Sequence, residues 1–368
     1  VTLRETYLDW NATTPLRPEA AAAMAEALAF GGNPSSVHRC GRAARRLVER
    51  SREAVAALVS APADGVVFTS GGTEANHLAL LGSGRERVLV SAVEHSSVLQ
   101  AVPMAERIPV DGDGIVDPAA LAALLAADPR PALVSVMLAN NETGVIQPVR
   151  EIAAVVHAHS ALLHCDAVQA AGKIPLSLGE IGADLLTLSA HKIGGPAGVG
   201  ALIVAGGVEI VPLLRGGGQE RNRRAGTENL AGIAGFAAAA TACAVTEYTS
   251  VGELRDQLET VLAGEAIAVG AGTARLPNTS AIAMPGVPAE TQIIALDLDG
   301  VMVSAGAACS SGKVGPSHVL AAMDIAPHIA NATIRVSLGW ATTEADIAHF
   351  IDAWTALYRR TRKQAKAA

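Results

Sequence analysis

The sequence predicts an α/β protein: a large, mostly parallel sheet with helices on both faces, followed by a smaller α+β domain. Three observations predict it. Short β-branched runs alternate with Ala-rich stretches of helical length, the pattern of a parallel sheet covered on both sides. That rhythm changes near residue 246, after an Ala- and Gly-rich stretch. At 368 residues the chain also exceeds one ordinary core, since domains average about 150 residues. The expected units are a large domain over 14–248 and a small domain over 249–368, with an N-terminal arm, 1–13, packing on the small one.

The elements follow in order. PEAAAAMAEALAF (18–30) and GRAARRLVERSREAVAALV (41–59) read as helices, and GVVFTS (65–70) as the first strand of the sheet. TEANHLALL (73–81) is the next helix, and the run RVLVSA (87–92) the next strand. DPAALAALLAA (117–127) and VREIAAVVHAH (149–159) are helices on either side of a strand over 132–140. Strands over 161–166, 184–189 and 198–204 complete the sheet, and 230–245 is expected to be a buried helix. The small domain has a helix at about 251–264, a strand around NTSAIAM (278–284) and a helix around AETQIIALDLD (289–299). A Gly-bounded segment, the strand TIRVSLG (333–339) and a final helix over 344–364 end it.

Half of the residues are apolar and 17% are charged, a globular composition. The net charge of −7 gives no general attraction to nucleic acid or to an anionic membrane. The Arg-rich run RNRRAG (221–226) is short, flanked by Gly and free of aromatics, so it reads as a solvated loop. The apolar window over 230–245 falls short of the ~20 residues that span a bilayer. The opening VTLRETYLDW lacks a basic-then-apolar pattern, so no export is expected. Cys40, Cys165, Cys243 and Cys309 are scattered, which argues against a disulfide framework or zinc knuckle and for a reducing, cytoplasmic setting.

In open α/β sheets, ligands bind beyond the carboxyl ends of the strands, and the polar clusters fall there. SGGTEANHL (70–78) sets Gly71, Gly72 and Thr73 at a strand-to-helix turn, which is either an anion site or an ordinary capped turn. LSAHKIGGPAGVG (188–200) carries Ser189, His191 and Lys192 after a strand; a lysine so placed forms imines with carbonyl compounds, or is simply solvated. HCDAVQ (164–169) ends an apolar strand on Asp166, which needs a partner such as a protonated pyridine nitrogen, or serves as a helix cap. His157 and His159, two apart on a helix, point to different faces, so no metal site is expected. Arg335, alone in an apolar strand, must bind a carboxylate, either a protein acid or a substrate. In AGAACSSGKVG (305–315), the spacing from Gly306 to Gly312 is one residue too long for a phosphate loop, and Val314 replaces the required hydroxyl.

Together and in order, these segments resemble the cysteine desulfurases, the branch of the class V aminotransferase family that uses pyridoxal 5′-phosphate (PLP). The resemblance also takes in YLDWNATTP (7–15), GNPSSVH (32–38), VEHSSV (93–98), ANNETGVIQPV (139–149), GGGQERNRRAGTEN (216–229) and SAGAACSSGKVGPSHVL (304–320). It implies the PLP-dependent transferase fold, fold type I. It implies that Lys192 holds the cofactor as an imine, Asp166 pairs with the pyridine nitrogen, His95 stacks on the ring and Gln169 contacts the ring hydroxyl. Gly72, Thr73, Ser189 and His191 would form the phosphate site, and Thr227 would reach a neighbouring subunit's phosphate in a homodimer. Asn141 and Arg335, with Asn33 as a further candidate, would bind the carboxylate of L-cysteine. Cys309 would accept the sulfur as a persulfide and pass it to an acceptor such as an iron–sulfur scaffold protein. Its segment resembles the longer, mobile-loop subgroup. The rival within the same fold is an aminotransferase or a selenocysteine lyase. His77 and Trp340 depart from the family's common residues at positions outside the catalytic set.

Overall fold

The computed structural model describes residues 4–305 and 317–367. Cys309 and its flanking glycines lie outside the described residues. The strands in chain order are β1 (Thr6–Tyr7), β2 (Val66–Thr69), β3 (Arg87–Ser91), β4 (Glu106–Ile108), β5 (Ala132–Ser135) and β6 (Leu162–Asp166). They continue as β7 (Leu185–Ser189), β8 (Gly200–Val204), β9 (Ile267–Val269), β10 (Thr279–Ala283), β11 (Val301–Met302) and β12 (Thr333–Ser337).

β2 to β8 form a seven-stranded sheet in the order β2-β8-β7-β6-β5-β3-β4. The pairings from β7 to β4 are parallel, whereas β8 runs antiparallel to both of its neighbours. β5 is shorter than the 132–140 expected from its apolar run, although Val136 N and Leu138 N still donate to the His164 and Asp166 carbonyls of β6, at 3.0 and 2.9 Å. β4, three residues long, gives too short a pattern to be read from sequence.

Helices cover both faces because the central strands are buried along their whole length. Helix Leu230–Ala242 lies against helices Pro18–Phe30 and Arg39–Leu58, burying Ile233, Phe236 and Ala239. Among the described residues, no single helix is long and apolar enough to cross a membrane.

The second core gathers Leu8, Tyr248, Leu258, Ile334, Phe350 and Trp354 around the antiparallel sheet β12-β10-β9 and the last helix, Glu344–Ala367. The N-terminal segment joins it directly: β1 pairs in parallel with β11, and Asp9 bridges Ser337. The chain crosses from this core to the large sheet at residues 9–14.

A connection over 216–229 needs unusual support, because Glu220, Arg221 and Asn222 all have positive φ, at 45°, 55° and 63°. The buried Glu220 carboxylate accepts two bonds from Arg52, at 2.7 and 3.0 Å, and one from the Phe68 amide at 2.8 Å. These charge-assisted bonds hold the strained turn in place.

The three histidines of the 157–164 stretch sit in separate environments. His157 meets Asp184, His159 bonds to the Val155 carbonyl, and His164 is enclosed between Ser135 and Thr187, 2.8 and 3.0 Å from its ring nitrogens. Burial pushes His164 down from 6.5 to about 4. The unfolded chain therefore binds a proton that the native state refuses between those values, and stability falls as pH drops from 6.5 towards 4. A shift of this size corresponds to a loss on the order of 3 kcal/mol. In urea unfolding, the stability advantage of wild type over His164→Gln is expected to narrow by about 2 to 3 kcal/mol between pH 7 and pH 4.5. An advantage independent of pH would contradict the assignment.

Candidate active site

A cavity of about 370 Å³ opens at the carboxyl ends of β6 and β7, where the two cores meet. Lys192, His95, Asp166, Gln169, Gly72, Thr73, Ser189, His191, Asn141 and Arg335 all line it, although they come from segments spread over 260 residues of chain.

One wall is built by strand ends. Asp166 closes β6, and its carboxylate accepts from Asn76 Nδ2 at 2.8 Å and from the Val168 amide at 3.0 Å. The same Asn76 nitrogen donates to Ser97 Oγ at 2.8 Å, and Ser97 in turn contacts His95 Nδ1 at 2.8 Å. His95 Nδ1 also accepts the Ser97 amide hydrogen at 3.1 Å, which leaves the ring proton on Nε2. Burial, against the Asp166 charge, lowers the His95 pKa, so the ring is a neutral plate beside the carboxylate.

Lys192 ends the single turn Ala190–Lys192 after β7. Its Nζ donates to the carbonyls of Asn11 and Ala12, the latter at 2.8 Å. Burial, then the nearby Arg335 charge, pushes this amine down to about 8, so a deprotonated, nucleophilic fraction exists near neutrality. Burial and Lys192 likewise push His191 down to about 4, and its Nδ1 lies 3.2 Å from Thr13 Oγ1.

Helix Gly72–Gly82 begins at Gly71 with no side-chain cap, and its first residues, Gly72 and Thr73, line the cavity together with the buried Ser189, an arrangement suited to an anion. Gly72 is required by close approach: a Cβ there would lie 3.1 Å from Val168 Cγ2 and 3.4 Å from Ser189 Cβ.

Arg335, on β12, donates to the Asn141 carbonyl at 3.0 Å and to Asp9 Oδ1 at 2.7 Å. Of the two partners left open by the sequence, the protein acid is therefore present. Yet among the described residues the buried Arg335 Nε has no hydrogen-bond partner. An unbonded guanidinium N–H beside a cavity fits a carboxylate guest.

Two predicted residues are not brought to this cavity within the chain. Asn33 is exposed, and its Oδ1 accepts the Ser35 amide at 2.9 Å, turning the side chain onto its own loop. Thr227 lies on the exposed 216–229 connection, beside a smaller recess with Ser70, Gly198 and Arg224. Arg224 there pairs with Glu74 at 2.8 Å, so this arginine of the 221–226 run is bound rather than solvated.

Sequence reasoning missed three buried polar residues. Asn11 is the hub between the cores: its side chain bonds Thr279, Asn278, Lys173 and the Asn141 carbonyl. Glu94, fully buried, accepts the Met137 amide at 2.6 Å and is pushed well above the carboxylate range by burial and by Asp166. Lys173 is 2% exposed; a lysine in the apolar run QAAGKIP was the one signal available for it.

A lysine amine, a buried carboxylate, a neutral imidazole and an uncapped helix start line one cavity on an α/β scaffold, a set of groups that fits PLP. The family model for class V aminotransferases matches residues 6–350, and the chain belongs to that family. It has fold type I, and members of the family use PLP. Within the family it is similar to a cysteine desulfurase from Cereibacter sphaeroides, 45% identical over 95% of each chain. It is also similar to the cysteine desulfurase IscS of Dictyoglomus turgidum, 40% identical over 98% of this chain and 96% of that one. The X-ray structure of a NifS-like protein from Rickettsia africae superposes with a TM-score of 0.90 at 36% identity, covering 97% of this chain and 100% of the other.

Proposed function

We propose that the protein is a PLP-dependent cysteine desulfurase that converts L-cysteine to L-alanine and transfers the sulfur to Cys309. The observation that carries this reading is the cavity itself. A lysine amine pushed down to about 8 shares it with buried Asp166 and with an arginine whose Nε is unbonded. The similarity to cysteine desulfurases supplies the substrate class.

When bound, the cofactor supplies an electron sink for the pair left behind as the substrate Cα proton departs. The chain's own residues do the rest. Asp166 holds a positive charge at the ring nitrogen, His95 packs on the ring, and Gln169 meets the ring hydroxyl. Gly72, Thr73, Ser189 and His191 hold the phosphate, with Thr227 contributing from a neighbouring subunit. Arg335 and Asn141 fix the substrate carboxylate, and Lys192 takes and returns the proton at Cα. The Cys309 thiolate attacks the substrate sulfur: an S–S bond forms as the Cβ–S bond breaks, and its electron pair leaves with the carbon. Protonation of that carbon gives alanine, so the sum is L-cysteine plus Cys309 thiol to alanine plus Cys309 persulfide.

A homodimer follows from the role given to Thr227, whose exposed connection lies apart from the cavity of its own chain. The persulfide then passes to an acceptor protein such as an iron–sulfur scaffold, with no nucleic acid or membrane partner. A cytoplasmic location keeps the thiol reduced.

The test supplies purified holoenzyme with L-cysteine and a thiol reductant. Sulfide and alanine should appear in equal amounts. Conversion of the cofactor to its pyridoxamine form with a keto acid, and without sulfide, would instead make the protein an aminotransferase. Arg335→Lys keeps a cation for Asp9 but loses the planar fork. It is expected to raise KM for L-cysteine on the order of 10- to 100-fold, with a smaller change in kcat. An unchanged KM would remove Arg335 from the substrate site.

A further inference from the structure

The buried Lys173 amine has no carboxylate among its hydrogen-bond partners in the described residues. Its Nζ meets two amide oxygens, Gln169 Oε1 at 2.9 Å and Asn11 Oδ1 at 3.2 Å. Nζ donates to both oxygens, which sets the orientation of both carboxamides: a flipped Gln169 would turn its NH₂ group onto the N–H donors of Lys173. Gln169 Nε2 is therefore the inward-facing end. One of its hydrogens goes to the Asn11 carbonyl at 3.0 Å, and the second is available to a guest in the cavity that Gln169 lines. The same Asn11 carbonyl accepts from Lys192 Nζ, while Lys173 bonds the Asn11 side chain.

We propose that Lys173 is a positioning residue for the cofactor's ring oxygen, holding Gln169 by Oε1 so that Nε2 is offered to the pocket. This rests on reading Gln169 as the partner of the ring hydroxyl. Burial is the chief reason the Lys173 amine is pushed down to about 7, with Lys192 and then Arg335 adding to it and the Cys243 thiol opposing them. These three are the charged and titratable groups that act on it. Desolvation of this kind opposes folding, which makes a role in the site a stronger reason for the lysine than stability.

A donor held in this orientation stabilises a ring oxyanion, so losing it raises the pH at which the visible band of the bound cofactor titrates. Methionine fills the site without a charge, and Lys173→Met is expected to fold with unchanged or higher resistance to urea. The experiment records visible spectra against pH for the cofactor-loaded wild type, Lys173→Met, Gln169→Leu and the double variant. Each single variant should move the midpoint upward by about one pH unit, and the double variant no further than Gln169→Leu alone. A Lys173→Met midpoint equal to wild type, with Gln169→Leu shifted, overturns the inference. Additive shifts in the double variant overturn it too, because Lys173 would then act independently of Gln169. An unshifted Gln169→Leu would instead overturn the placement of Gln169 on which the inference rests.

Discussion

Lys192→Ala is expected to abolish alanine formation, with a loss of about 10⁴-fold or more, and to remove the visible absorbance of covalently held cofactor. Both effects come from one atom. Lys192 Nζ is the amine in the cavity with a pKa near 8, and it is poised against the carbonyls of Asn11 and Ala12 rather than paired with an acid. The substitution deletes a desolvated amine, so urea unfolding should show no loss of stability comparable with the loss of activity. Retained turnover in Lys192→Ala would place the proton transfer on another residue.

Cys309→Ala is expected to leave the cofactor spectrum intact and to lower turnover of L-cysteine by about 10³-fold or more. The spectrum survives because no residue lining the described cavity changes. Turnover falls because a tethered thiol acts at an effective concentration that millimolar free thiol does not match. The two variants thus separate two functions: Lys192→Ala loses spectrum and turnover together, Cys309→Ala turnover alone. Full turnover in Cys309→Ala would show that the enzyme releases sulfur without this acceptor.

Much of the fold is legible because strand ends and site residues coincide. Asp166 and Ser189 are the last residues of β6 and β7, and Thr69 that of β2, with only Ser70 between it and Gly71 and Gly72. Apolar runs mark these strands, and the polar residue that stops each run marks the site. The less legible features are those that tertiary contacts create. β8 reads like any buried strand, and its reversed direction shows only in its pairing with β2 and β7. Beyond β5, Val136 and Leu138 still bond the His164 and Asp166 carbonyls of β6, and the run ends only where the Asn140 amide turns to the Val145 carbonyl. Asn11 and Glu94 lie inside the segments YLDWNATTP and VEHSSV, but those segments give neither residue a role; burial makes them, and Lys173, distinctive. Arg335 was legible as an unpaired cation in a strand, but its partnership with Asp9 depends on the N-terminal segment crossing between the two cores. Asn33, placed with the substrate residues by resemblance, is instead turned onto Ser35 on its own loop.

The central claim is that sulfur leaves L-cysteine and resides on one thiol of this chain. Its most direct test is mass spectrometry of the PLP-loaded protein after brief exposure to L-cysteine without reductant, followed by peptide mapping. One added sulfur on the peptide containing Cys309, absent in Lys192→Ala, is the predicted result. No added sulfur in a protein that still forms alanine, or sulfur on Cys40, Cys165 or Cys243 instead, would contradict it.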